Sequence, residues 1–150
     1  MRRVSFPCLL VLPLALLGCA SAGQAFHGVY AVRGEAHYSI PGVGNASFPV
    51  LDTVHVSEGT TSDLVLTGRT MHCVLLAQVD GEVATLTRGA SCSWRDNGIP
   101  FVLTLSRGTL SCPGEDRGRF DLAGSVTATV RGELHTGSFF QKATLARIGE

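Results

Sequence analysis

From Phe26 to the end of the chain, apolar and polar residues alternate with period two between Gly, Asn and Asp turn signals, and no stretch sustains a helical period. The clearest run is Phe120 to Leu134. Phe120, Leu122, Gly124, Val126, Ala128, Val130, Gly132 and Leu134 share one face, while Asp121, Ser125, Thr127, Thr129, Arg131 and Glu133 share the other. This predicts one long antiparallel strand with one wet face, and Gly124 and Gly132 mark bends or close packing. Asn97-Gly98 is the strongest short-range hairpin signal. Pairing around it sets Trp94 opposite Phe101 and Cys92 opposite Leu103, with Pro100 outward opposite Arg95. Asp80-Gly81 is a second turn of this type, setting Leu75 opposite Leu86 and Ala77 opposite Ala84.

Further strands are expected over Val29 to Ile40, Phe48 to Ser57, Asp63 to Thr67, Phe101 to Cys112 with a bulge at Gly108, and Phe139 to Ile148. The fold class is therefore all-β, an antiparallel meander of about eight to nine strands. Such a meander curls into an up-and-down β-barrel or, alternatively, a two-sheet β-sandwich. The segment Phe26-His27-Gly28-Val29-Tyr30 resembles the Gly-x-aromatic opening of calycin-type barrels, a resemblance that implies the barrel and, by analogy only, a ligand inside it.

The first residues follow another pattern. Arg2 and Arg3 precede an apolar stretch from Phe6 to Leu17, the layout of a helical secretory signal peptide. It is too short to span a bilayer, and the longest later apolar run, Val74 to Ala77, is shorter still. Leu16-Leu17-Gly18-Cys19 resembles the lipobox of bacterial lipoproteins. The resemblance implies acylation of Cys19 and, with Ala20 next rather than Asp, an outer-membrane lipid anchor. Ordinary cleavage after Ala22 or Ala25 is the rival, since Ala20-Ser21-Ala22 has the A-x-A form and leaves a soluble periplasmic or secreted chain. The expected division is a signal peptide over 1–18, a lipid-anchored linker over 19–25 and an all-β domain over 26–150.

Removing Arg2 and Arg3 with the signal leaves ten basic against 12 acidic residues, a formal charge of −2. The basic residues are scattered singly, which argues against nucleic acid as a partner. Three cysteines, Cys73, Cys92 and Cys112, remain in an oxidising compartment, so one is left unpaired. Cys73 with Cys92 is the expected pair. With an intact strand between them they stand about 9.6 Å apart, beyond the ~7 Å reach of a disulfide, so the strand after Val83 must end early or bend away.

The chemistry is sparse. Alternation places His37, His55, His72 and His135 on polar faces, without any metal-ligand spacing, and no metal or cofactor is expected. Gly89-Ala90-Ser91-Cys92-Ser93 lacks a nucleophile elbow, and Glu115-Asp116 are neighbours in a turn. Asp52 breaks an apolar face by sharing parity with Phe48, Val50, Val54 and Val56. It marks a pocket if inward, whereas a bulge after Pro49 turns it outward. Gln141 poses the same question. Tyr30, Trp94, Phe101 and Phe120 complete the candidate pocket with Asp52, and inward Gly34, Ala36, Gly124 and Ala128 either leave room there or permit tight closure. The expectation is a non-enzymatic lipoprotein binding a small apolar ligand in a barrel. The alternative is an envelope interaction protein with a fully packed core, and an enzyme requires Asp52, a histidine and a hydroxyl to converge in one cleft.

Overall fold

A computed structural model describes residues 23–112 and 117–150. Short of a single-turn 3-10 helix at Gln24–Phe26, everything regular is strand: β1 Gly28–Ile40, β2 Gly44–Glu58, β3 Leu64–Gly68, β4 Val74–Asp80, β5 Val83–Leu86, β6 Ser91–Asp96, β7 Ile99–Ser111, β8 Gly118–Val130 and β9 Glu133–Gly149. All nine form one antiparallel sheet, ordered β5-β4-β3-β2-β1-β9-β8-β7-β6. β5 also pairs with β7, so the sheet closes in a ring rather than splitting into two layers. The expected signal peptide and Cys19 lie outside the described residues, as do residues 113–116 with Glu115 and Asp116. No helix among the described residues is long and apolar enough to cross a membrane.

Alternation produces the ring's interior. Successive side chains of a strand point to opposite faces, so Tyr30, Val32 and Ala36 of β1, Leu103 and Leu105 of β7, and Leu122, Val126 and Ala128 of β8 are buried in one core. The small inward residues permit tight closure. A Cβ on Gly34 meets the Lys142 carbonyl and Cα of Ala143, and one on Gly124 meets the Thr104 carbonyl, so the neighbouring strands occupy that space.

The Asn97-Gly98 hairpin has the expected register, with Trp94 opposite Phe101, Cys92 opposite Leu103 and Arg95 opposite Pro100. Three expectations are corrected. The run Phe120 to Leu134 is two strands: Arg131 and Gly132 adopt positive φ of 52° and 83°, the chain reverses, and Leu134 emerges 74% exposed on the outside. In the β4–β5 hairpin Ala77 faces Leu86 and Val79 faces Ala84, so the turn centres on Gly81-Glu82. That two-residue shift keeps every side chain on its expected face. The bulge of β7 is at Ser106, between the pairs Leu105–Gly124 and Arg107–Ala123, not at Gly108. Gly108 is buried because Leu86 and Leu122 fill the space a side chain would need.

Candidate functional site: the open seam

The ring is not equally closed along its length. β2 pairs with β1 from Gly44 to Val56, but with β3 only from Val54 to Glu58. Next to it, Arg69 donates its N–H to the Thr53 carbonyl at 3.0 Å, and His72 forms an antiparallel bridge with Ser93 of β6. The segment from Arg69 to His72 thus fills the width of one strand between β2 and β6. It then turns away into β4. Beyond it no described strand separates Phe48–Leu51 of β2 from Trp94–Asp96 of β6, and a side cleft of about 610 Å³ opens there.

Asp52 forms the floor of this seam. The pairing of β1 with β2 is unbroken from Phe48 to Val56, so no bulge follows Pro49, and Asp52 keeps the inward parity of Val50 and Val54. Its Oδ1 accepts N–H donation from Thr53 at 2.7 Å, Arg69 at 3.1 Å and Thr70 at 2.8 Å, and Oδ2 accepts from Met71 at 3.4 Å. A carboxylate collecting successive amides behaves as a cap, and here it fixes the turn that blocks the lower end of the gap.

The disulfide holds the other side. Cys73 and Cys92 are bridged, with Cα atoms 4.5 Å apart. This is possible because β5 ends at Leu86, after which β6 moves in beside His72.

Aromatic rings line the roof. Trp94 stacks on Phe101 with centroids 5.3 Å apart and planes 7° from parallel, and it approaches Phe139 at 5.9 Å and Phe48 at 6.4 Å. Trp94 is the sole tryptophan of the chain. Leu51 and Val102 flank the opening on the outer surface, 64% and 44% exposed.

Of the five candidate pocket residues, Asp52, Trp94 and Phe101 line the cleft. Phe120 faces Asp52 only across an internal gap of about 20 Å³, roughly the room for one water. Tyr30 belongs elsewhere, where the start of β1 meets the end of β9. Its hydroxyl donates to the Phe26 carbonyl at 2.9 Å and accepts from Arg147 at 2.8 Å, and Arg147 also donates to the Ala25 carbonyl at 2.7 Å. The Cys112 thiol stands 4.0 Å from the same hydroxyl and forms no disulfide among the described residues. Burial, with Cys112 beside it, pushes Tyr30 up to about 12, and burial likewise raises Cys112. Both groups stay protonated at neutral pH beside the Arg147 guanidinium, so the thiol is held in its less nucleophilic form.

Gln141 is inward as its parity implies, 2% exposed, and its Oε1 has no partner among the described residues. His37 shares a hydrogen bond with Ser47, approaches Glu35 at 3.4 Å and stacks on Phe140, all on the outer face. His72 and Ser93 do share the cleft with Asp52, but the Asp52 carboxylate is occupied by four backbone amides. Among the described residues no group of three or more His, Cys, Asp or Glu is placed to hold a metal ion. The seam was not legible in the sequence, because it exists only where two distant strand edges fail to meet.

Comparison with protein-family models, with curated proteins and with solved structures finds no match to this chain of any of the three kinds.

Proposed function

We propose that the chain is an exported, non-enzymatic lipoprotein, anchored to the outer membrane through acylated Cys19, whose β domain is an interaction module of the cell envelope. The observation that carries the reading is the contrast between a ring interior filled by its own side chains and a side seam left open between β2 and β6. The gap of about 20 Å³ between Phe120 and Asp52 offers a ligand little space, whereas β2 and β6 leave unpaired edges beside the larger cleft. The Leu16-Leu17-Gly18-Cys19 stretch supports the anchor. Several acyl chains on one residue give a stable peripheral attachment where a single chain does not.

The side cleft favours a second reading, a small apolar ligand held against Trp94, since its volume falls within the ~300–1,000 Å³ usual for ligand pockets. Native, non-reducing mass spectrometry of detergent-extracted protein tests both. The expected species begins at Cys19, carries a diacylglyceryl group and an amide-linked acyl chain, and brings no small molecule with it. An unmodified chain beginning at Gly23 or Phe26 would overturn the anchor, and a stoichiometric apolar companion would replace the interaction reading with the ligand reading.

A further inference from the structure

We infer that the seam is a strand-addition site: an extended segment of an envelope protein inserts between β2 and β6, its apolar side chains inward and its acidic side chains outward. The inference rests on the interaction-module reading and specifies the partner.

The width of the gap supports this occupant. At its floor, the segment from Arg69 to His72 bonds to β2 on one side and bridges β6 on the other, filling one strand position. The open part of the seam continues that position. Backbone polarity supports it as well. In a strand, N–H and C=O of one residue point to the same side, and residues two apart repeat that direction. Thr53 turns its carbonyl toward Arg69, so the Leu51 N–H and carbonyl also point into the gap, with no ladder partner there among the described residues. Pro49 contributes a carbonyl but no N–H, which leaves Leu51 as the donor of this stretch. Edges of this kind are pairing templates, and main-chain pairing with pockets for alternate side chains is the usual mode of strand addition.

The side chains specify the rest. Inward-pointing residues of the guest meet Trp94, Phe48 and Met71, an apolar wall whose lining carboxylate, Asp52, is already bonded. Outward-pointing residues pass Arg69 and Arg95. Both are exposed, and neither belongs to any ion pair among the described residues. Asp96 has the parity of Trp94, not of Arg95, so the outer rim is basic at this point.

The test uses the detergent-extracted full chain and a short synthetic peptide alternating valine with glutamate. Trp94 emission reports occupancy directly, and hydrogen exchange at the Leu51 N–H reports pairing. The expected result is a saturable change in Trp94 emission with exchange at Leu51 slowed by about tenfold or more, as for an amide that gains a ladder partner. The same peptide N-methylated at alternate residues should bind at least about tenfold more weakly, having lost donors along one edge. A valine–lysine peptide should bind more weakly than the glutamate peptide at low salt, with the difference fading as salt rises. Equal binding by the N-methylated peptide, unchanged Leu51 exchange at saturation, or seam-mediated dimerisation that excludes the peptide would each overturn the inference. A chain unacylated at Cys19 that still binds loses the anchor and keeps the seam, whereas an acylated chain that does not bind loses the seam alone.

Discussion

Two walls of the ring are written in the same alternating code and held in different ways. In the long wall, β8 and β9 pair without interruption from Gly118–Leu145 to Val130–Glu133, and β1 lies along the other side of β9. In the short wall, β5 touches β7 only through Val83–Ser111, Ala84–Leu110 and Thr85–Thr109, and β3 meets β4 from Leu64–Ala77 to Thr67–Val74. The long wall's side-chain ties, Thr127 with Thr136 and Thr144 to the Arg33 carbonyl, supplement ladders that are already long. The short wall adds non-ladder ties: the Cys73–Cys92 bridge, the Asp52 carboxylate on the turn after β3, and Asp63, whose Oδ2 accepts the Val79 N–H at 2.8 Å. Where main-chain pairing is scarce, side chains and a covalent bond replace it, and the seam lies beside that wall.

Three experiments would break or sharpen this contrast. The largest effect is expected from replacing the bridge, Cys73→Ser with Cys92→Ser. Releasing a cross-link of sequence separation 19 should cost about 3 kcal/mol. In native-state hydrogen exchange the amides of β3 to β6 should accelerate first while those of β1, β8 and β9 keep their protection. Uniform acceleration would mean that the two walls unfold as one unit and would erase the distinction.

Next is Asp52→Ala, which leaves the N–H groups of Thr53, Thr70 and Met71 without the carboxylate acceptor, while Arg69 keeps the Thr53 carbonyl. Hydrogen bonds to a charged group contribute about 1.5–3 kcal/mol, and a loss of about 2 kcal/mol in chemical denaturation is expected after water replaces some of them. Asp52→Asn should recover part, since an amide oxygen still accepts. No change in either variant would show that the turn holds without its cap.

The smallest effect concerns the Tyr30 cluster, where the start of β1 meets the end of β9. Folding raises Tyr30 to about 12, while an unfolded tyrosine titrates near ~10. Between those values the unfolded chain has released a proton that the folded chain retains, so stability is full below about pH 10 and declines as pH rises toward 12. Thermal denaturation across that range should show the decline in a Cys112→Ser background, which removes a thiol whose shift has the same sign. Adding Tyr30→Phe should flatten the decline at a cost of about 1 kcal/mol from the lost hydroxyl. A slope that survives Tyr30→Phe would assign the alkaline sensitivity to another group.

Period two is a local property, and what it encodes was legible: the strand count, the inward faces, the Asn97-Gly98 register and the Cys73–Cys92 pair. It is blind to even shifts, so the β4–β5 register moved by two residues without disturbing either face. It is equally blind to a tight two-residue turn. Arg131 takes a positive φ that Asn or Asp ordinarily signals, and its alternation runs on unbroken into β9. The parity of Asp52 was readable, but its four amide partners were not, since three of them come from a turn about eighteen residues later. Of the candidate pocket, Trp94, Phe101 and Asp52 meet because their strands face one another across the seam, and Tyr30 is separated from them by its place near the start of β1. Such groupings depend on how the ring closes, which no segment of the chain carries alone.

The position of β9 sets a schedule for the chain. Its 17 residues follow the other described strands in chain order, yet they lie between β1 and β8 in the sheet. A chain that folds as it is made can pair β1 with β2 early, but the ring waits for β9. Pairings between the first and last strands carry the greatest sequence separation available and form slowly. Completion therefore waits on β9, and until it pairs, β1 and β8 present unfilled edges open to pairing with other chains.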